Sequence, residues 1–262
     1  VRGVSRLPEE LPLRGLQLHL LRSFAQFRFR EAAFLVSCAD PQTVRRRIKQ
    51  LRRELGAYID TFPEFQTSLE PLASLPGNPP EIAKRMHAAS TAVGVGPMAA
   101  VAGSVAQMAA EEALRRGSPE AIVNNGGDIF LHLNEEAVVG LYGSPLAERL
   151  AFRIRVEDSP LAVCSSSSKL GHSHSFGRAD LATVVADDAS LADAAATKAG
   201  NLSRDKESAE AVAGELSSIQ GVRGVLIVID DQLVLAGSLP ELIPNRSRSL
   251  QARVVRHPYS ER

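Results

Sequence analysis

The sequence predicts an α+β fold, a mixed or antiparallel sheet architecture packed by helices. Three observations lead there. Helical apolar periodicity marks the first half of the chain, and short runs rich in Val, Ile, Leu and Ala crowd between residues 121 and 185. A final strand pair then follows two consecutive helical stretches, an order that disfavours a simple βαβ repeat.

Residues 27–37 mix aromatic and aliphatic side chains and read as one strand. A helix is expected over 41–55, where Val44, Ile48, Leu51 and Leu55 recur every three or four residues and form one packed face. Arg45, Arg46, Arg47, Lys49, Arg52 and Arg53 surround that face and read as a solvated surface rather than a site for phosphate or an acidic partner. The stretch 58–80 carries Pro63, Pro71, Pro76, Gly77 and Pro79, and reads as an irregular surface excursion suited to a lid or an oligomer contact.

Gly94, Gly96 and Pro97 introduce a helix expected over 98–116, stopped by Gly117. Its alanines, with Gly103 and Ser104, let a neighbouring backbone approach closely, and the helix suits a homodimer contact as readily as a single core. Strands are expected at 121–123, 129–133, 137–141, 151–156, 162–164 and 181–185, and helices at 190–199 and 203–218. A hairpin of 222–229 and 233–236 turns around Asp230 and Asp231. Residues 1–243 read as a single domain, or as two intimately packed lobes, and 244–262 as a basic terminal tail with Arg246, Arg248, Arg253, Arg256 and Arg262.

Composition narrows the partners. Hydrophobic residues are 44% and charged residues 23% of the chain, too apolar for an intrinsically disordered protein. Lys plus Arg equals Asp plus Glu at 30 each, which removes any global electrostatic argument for nucleic acid. Cys38 and Cys164 are too far apart in sequence for a metal knuckle or redox pair, and suit a reducing compartment. The first twelve residues do not resemble a signal peptide, and no apolar run approaches the ~20 residues that cross a bilayer. A cytoplasmic protein without membrane insertion is the expectation.

Three segments carry residues suited to chemistry. Asn125, Gly126, Gly127 and Asp128, preceded by Asn124, lie between two apolar runs. The glycines permit a tight turn or a close backbone approach to a ligand, and the polar side chains supply directional contacts; a plain hairpin turn has the same composition. No Gly-x-Gly-x-x-Gly or P-loop pattern occurs there. The second segment holds Ser165, Ser166, Ser167, Lys169, Gly171, His172 and His174, groups that bind phosphate oxygens, polarise a leaving group or pass protons. Extended backbone places His172 and His174 on one side without making them a metal pair. In the third, Ser190 reads as a helix N-cap, with Asp193 able to meet the first-turn amides. Asp193 and Thr197, four residues apart, present oxygens on one helical face, suited to Mg²⁺ shared with phosphates or to ordinary capping.

Taken in order, residues 90–106, 123–130, 165–180 and 184–201 resemble the ApbE-like superfamily, in particular its uncharacterised UPF branch related to the FAD:protein FMN transferases. In those transferases an Ala-Asp-Ala-x-x-Thr segment supplies oxygens to the metal that accompanies the FAD pyrophosphate. The matching run from Ala192 to Thr197 implies Asp193 and Thr197 as metal ligands, and the Gly-Gly-Asp turn at Asp128 implies a place at the flavin. Two transferase motifs are altered. The His-x-x-Asp-Pro-x-Thr-Gly pattern lacks its Asp-Pro-x-Thr-Gly part beside His172, and Gly94-Val95-Gly96-Pro97 lacks the lysine of Gly-x-x-Lys-Gly.

The resemblance therefore implies a flavin or phosphorylated-nucleotide binding protein, with FAD or a related nucleotide and Mg²⁺ as cofactors. One alternative is a divergent Mg-dependent FAD:protein FMN transferase or other phosphoryl-transfer enzyme. There Asp180 deprotonates an acceptor hydroxyl and His172 or Lys169 helps AMP depart. A structural or interaction protein that has lost the cofactor site is the other.

Overall fold

The computed structural model describes residues 22–30, 32–167 and 177–245. An eight-stranded antiparallel sheet runs in the order β1 (Ala25–Phe29), β2 (Ala32–Cys38), β3 (Ala121–Asn125), β4 (Asp128–His132), β7 (Leu161–Ser166), β8 (Leu181–Ala186), β9 (Val222–Ile229) and β10 (Gln232–Gly237). A three-stranded antiparallel sheet orders β11 (Glu241–Pro244), β6 (Leu150–Ile154) and β5 (Ala137–Gly140). The α+β expectation holds, and every strand pair among the described residues is antiparallel.

The large sheet is covered on both faces, and alternation along its strands sorts side chains between two cores. Val123, Phe130, Ala162, Cys164, Val184 and Ile227 face the helices. Their neighbours Ile122, Leu131, Val163, Val185, Leu226 and Val228 pack with Phe152 and Ile154 of the small sheet. The near-continuous apolar run of β9 follows directly, since both faces of that strand are buried.

Helix α1 (Pro41–Thr61) begins where Asp40 accepts from Gln42 N and Thr43 Oγ1, with Pro41 in the first turn. It outruns the expected end at residue 55 because Tyr58 continues the buried stripe of Val44, Ile48, Leu51 and Leu55. The helix stops at Phe62, before Pro63. The stretch 58–80 is less irregular than expected. It includes the short helix α2 (Glu64–Thr67) and an aromatic cluster in which Tyr58 lies 5.1 Å from Phe62 and 5.3 Å from Phe65.

Two further expectations need correction. The single strand expected over 27–37 is a hairpin, β1 and β2, reversing at Arg30 with φ of 54°. The sequence offers no Asn-Gly or Asp-Gly signal there. Helix α3 (Glu81–Val93) is an addition to the expected elements, because alanines share its buried face with Ile82, Met86 and Val93 and dilute the apolar stripe; it ends in a left-handed Gly94.

The helix expected over 98–116 divides into a 3₁₀ turn, Pro97–Ala100, and α4 (Val101–Arg115). Helices α5 (Ala189–Leu202) and α6 (Lys206–Ser217) and the β9–β10 hairpin follow expectation, Asp230 and Asp231 both taking positive φ in its turn. Part of the expected terminal tail is structured: Pro244 ends β11, and Asn245 N donates to Arg149 O. Residues 246–262 lie outside the described chain. No single helix among the described residues is long and apolar enough to cross a membrane.

Helices α4 and α5 meet at Gly103. A Cβ there would stand 2.0 Å from the Ala189 carbonyl oxygen and 2.9 Å from Asp193 Cβ. Gly103→Ala therefore forces the helices apart and lowers stability by about 2–3 kcal/mol in urea denaturation, outweighing the ~1 kcal/mol that alanine adds as a helix former. An unchanged unfolding midpoint would show that the crossing is loose.

Candidate functional site

The β3–β4 hairpin closes with Asn125 paired to Asp128 across Gly126 and Gly127, whose φ values are 71° and 124°. This backbone is why glycines stand there, because a Cβ on either would meet nothing within 4 Å. Gly127 N donates to Asn124 Oδ1, and Gly126 N to Ala33 O. Asn125 is buried and its amide donates to Ala102 O, tying the hairpin to the first turn of α4. Asp128 turns inward beside Cys164 on β7, and Ser165 N donates to Asp128 Oδ1 at 3.3 Å.

The second carboxylate comes from α5. Asp193 is buried and its Oδ2 accepts from Gly103 N at 2.8 Å, so it caps α4 rather than its own helix. The cap of α5 is Asp188, which accepts from Leu191 N. Ser190, expected as that cap, lies inside the helix and is buried, its hydroxyl accepting from Ser104 Oγ at 2.8 Å. The Ala-rich surfaces bring the helices close enough that these small polar groups must satisfy one another.

Two carboxyls thus share one desolvated region. Burial pushes Asp128 up to about 7, against the smaller opposing effects of the Ser165 amide and the Cys164 thiol. Burial, joined by the charge of Asp128, holds Asp193 well above the ordinary carboxylate range despite the α4 amides. Burial and the two carboxylates also raise the Cys164 thiol, which makes it a poor nucleophile; its Sγ lies 3.6 Å from Ala189 O. A region that resists two negative charges is suited to a cation or to shared protons.

Thr197 lies one helical turn beyond Asp193 and is partly exposed, at the margin of this region. Among the described residues its hydroxyl has no hydrogen-bond partner. The serines separate. Ser165 contributes its amide to Asp128, but its hydroxyl pairs with Thr183 Oγ1 at 2.9 Å in the layer between the sheets. Ser166, the next residue, shares the helix-side parity of Cys164. Ser167 Oγ donates to the carbonyl of buried Asp180, whose own amide donates to Val228 O. Asp180 therefore sits at the same sheet end as the Asn125–Asp128 turn. Lys169, Gly171, His172 and His174 lie outside the described residues, bracketed by Ser167 and Gly177.

Sequence reasoning missed the Gly103 amide and Cys164. The alternation of Ala162 and Cys164 on the helix face was the available signal for the thiol, whereas nothing local marks Gly103 N as a partner of a residue ninety positions away. It also missed Lys198, which donates to Val93 O at the end of α3 and pairs with Glu215 at 2.7 Å. No group of three or more His, Cys, Asp or Glu side chains among the described residues is arranged as a metal centre. A cation here needs oxygens from Thr197, the backbone or a ligand.

The raised Asp128 gives a pH signature. Its native pKa exceeds the unfolded value, so the native state holds the extra proton. Stability is greatest below about pH 4 for this group and falls as pH rises towards about 7. Asp128→Asn removes that fall. Relative to wild type the variant should gain about 1–3 kcal/mol on going from pH 4.5 to pH 8 in denaturant titrations. A pH-independent difference would show a solvated, ordinary carboxylate.

Comparison with known proteins agrees with this architecture. A family model described as AbpE bacteria matches residues 25–229. A UPF0280 protein of Archaeoglobus fulgidus is 46% identical over 77% of this chain and 84% of its own length. Another, from Methanocella arvoryzae, is 40% identical over 85% and 92%. Among solved structures, the apbe protein from Thermotoga maritima superposes with a TM-score of 0.55 at 12% identity, covering 83% of this chain and 97% of the other. A variant of the flavin transferase ApbE from Vibrio cholerae gives 0.54 at 12%, with the same coverage. These two likenesses establish the shared fold. By the extent of the model match and the identity to its relatives, the chain belongs to the AbpE bacteria family, in its UPF0280 group.

Proposed function

We propose that this protein binds a flavin or related phosphorylated nucleotide together with a divalent cation, at the sheet end formed by the Asn125–Asp128 turn and α5. The observation that carries the reading is the pair of desolvated carboxyls, Asp128 and Asp193, each held above its ordinary range beside the first turn of α4. Their oxygens and the Thr197 hydroxyl are hard donors of the kind Mg²⁺ prefers, and a cation would relieve the repulsion that burial imposes. Asp193 and Thr197 would hold it, and the metal would supply charge neutralisation for ligand phosphates. Above the turn, Gly126 and Gly127 leave room for a planar group to approach the backbone.

Asn125, Gly126, Gly127 and Asp128 are assigned to the ligand in this reading, together with Ser166, Ser167 and Gly171, while Ser165 acts through the amide it gives to Asp128. Asp180, buried at the same sheet end, favours a second reading in which the protein is a divergent Mg-dependent FAD:protein FMN transferase. Asp180 would then take the proton of the acceptor hydroxyl as its oxygen attacks the FAD phosphorus bearing FMN, and His172 or Lys169 would help AMP depart. A structural protein is the third reading, favoured by the direct bond from Gly103 N to Asp193, which a simple cap also makes.

Native mass spectrometry and calorimetry with FAD, FMN, ATP and ADP, with and without Mg²⁺, separate these readings. Saturable, Mg-dependent binding of FAD is expected, weakened about tenfold or more by Thr197→Ala, which leaves the α4 cap intact; Asp193→Ala should weaken it further. Binding of none of the four would sink the flavin and nucleotide reading. For the histidines, separate His172→Asn and His174→Asn variants that keep affinity but lose turnover would assign proton transfer, and unchanged turnover would remove them from the chemistry.

A further inference from the structure

Away from the carboxyl pair, four cations gather over the rings of Phe27 and Phe29. Strand β1 is an edge of the large sheet, so its outward amides and carbonyls have no strand partner among the described residues. Above it, Arg45 lies 5.8 Å from the ring centre of Phe27, while Lys49 and Arg52 lie 6.0 Å and 5.9 Å from that of Phe29. Arg30 covers the same Phe29 ring at 5.9 Å. Helix α1 therefore covers the helix-side face of the β1–β2 hairpin, and its cations reach the rings of the edge strand. Arg46 and Arg47 lie within ion-pair distance of Asp40 and Glu54, whereas Arg45 and Lys49 have no carboxylate within that distance among the described residues.

From this we infer that the β1 edge, beside Arg45 and Lys49, docks an acidic peptide as an added antiparallel or parallel strand. Main-chain hydrogen bonds to β1 supply the pairing, and carboxylates at alternate peptide positions meet the helix cations. The spacings agree. Along α1 Arg45 and Lys49 stand ~6 Å apart, while side chains on one face of a strand recur every ~6.6 Å. The remaining difference is within the reach of flexible Lys and Arg side chains.

Other polyanions fit less well. A single-stranded nucleic acid stacks its bases on open aromatic faces. Here Phe27 is stacked on Phe34 at 5.1 Å, and cations cover the outer rings. A membrane surface needs apolar anchors beside the charges, and none of the exposed large hydrophobic residues belongs to β1 or α1.

The test is fluorescence anisotropy of the full chain with a fluorescein-labelled peptide of alternating Glu and Val. Its probes for comparison are a Lys-for-Glu copy, a copy N-methylated at alternate amides, a single-stranded oligonucleotide and phosphatidylserine vesicles. The Glu peptide should bind, more weakly as salt rises, and lose about tenfold or more with the double variant Arg45→Glu/Lys49→Glu or with N-methylation. Lys84→Glu, elsewhere on the surface, should leave binding unchanged, and circular dichroism checks that each variant folds. Should the double Glu variant fail to fold, Arg45→Gln/Lys49→Gln takes its place with a smaller expected loss. No binding of the Glu peptide, equal binding of the N-methylated copy, or tighter binding of the oligonucleotide or vesicles overturns the inference and leaves the cations as guards of an edge strand.

Discussion

The close crossing of α4 and α5 at Gly103 is the constraint on which the site depends. With no side chain at Gly103, the Ala189 carbonyl sits where a Cβ would be, and Asp193 reaches the amide of the first α4 turn. The contact is reinforced by Ser104 to Ser190 and by Gln107 to Ala189 N. A bulkier residue at the crossing would separate the helices and expose the carboxyl to water. Asp193 would then lose both its amide and the desolvation that perturbs it.

The sheet supplies the other half. Because it is covered on both faces, each strand residue commits its side chain to one of two interiors. Cys164 and Asp128 turn to the helices, and Ser165, one position on, turns to Thr183 in the layer between the sheets. Parity thus decides which polar residues of a serine-rich run can join a helix-side site. It also explains why the carboxyl pair lies near a sheet end, where the β3–β4 turn replaces covering strand with open glycine backbone.

Membership of the AbpE bacteria family and the shared fold with the ApbE structures account for this scaffold. Within it the Ala-Asp-Ala-x-x-Thr run has a mechanical role beside the ligand-facing one proposed for it. Asp193 caps the neighbouring helix, and the adjacent Lys198 ties α5 to the end of α3 and to α6 through Val93 O and Glu215. One short helix segment therefore positions several elements around the proposed ligand space.

What the sequence determined by itself was set by local periodicity and turn chemistry. The stripe of Val44, Ile48, Leu51 and Leu55 specified α1, and the Gly126–Gly127 pair specified a hairpin turn, because positive φ at both positions suits glycine. The four-residue spacing of Asp193 and Thr197 likewise put two oxygens on one helix face. The hairpin of β1 and β2 and the Ala-rich helix α3 were not legible, since neither carries a strong local signal, and the true cap of α5, Asp188, competed with Ser190, an equally good capping residue two positions on. Only the tertiary structure decided that Asp193 faces Gly103 and shares a desolvated region with Asp128. Those residues come from distant segments, and burial, which sets their protonation, is a property of packing rather than of sequence.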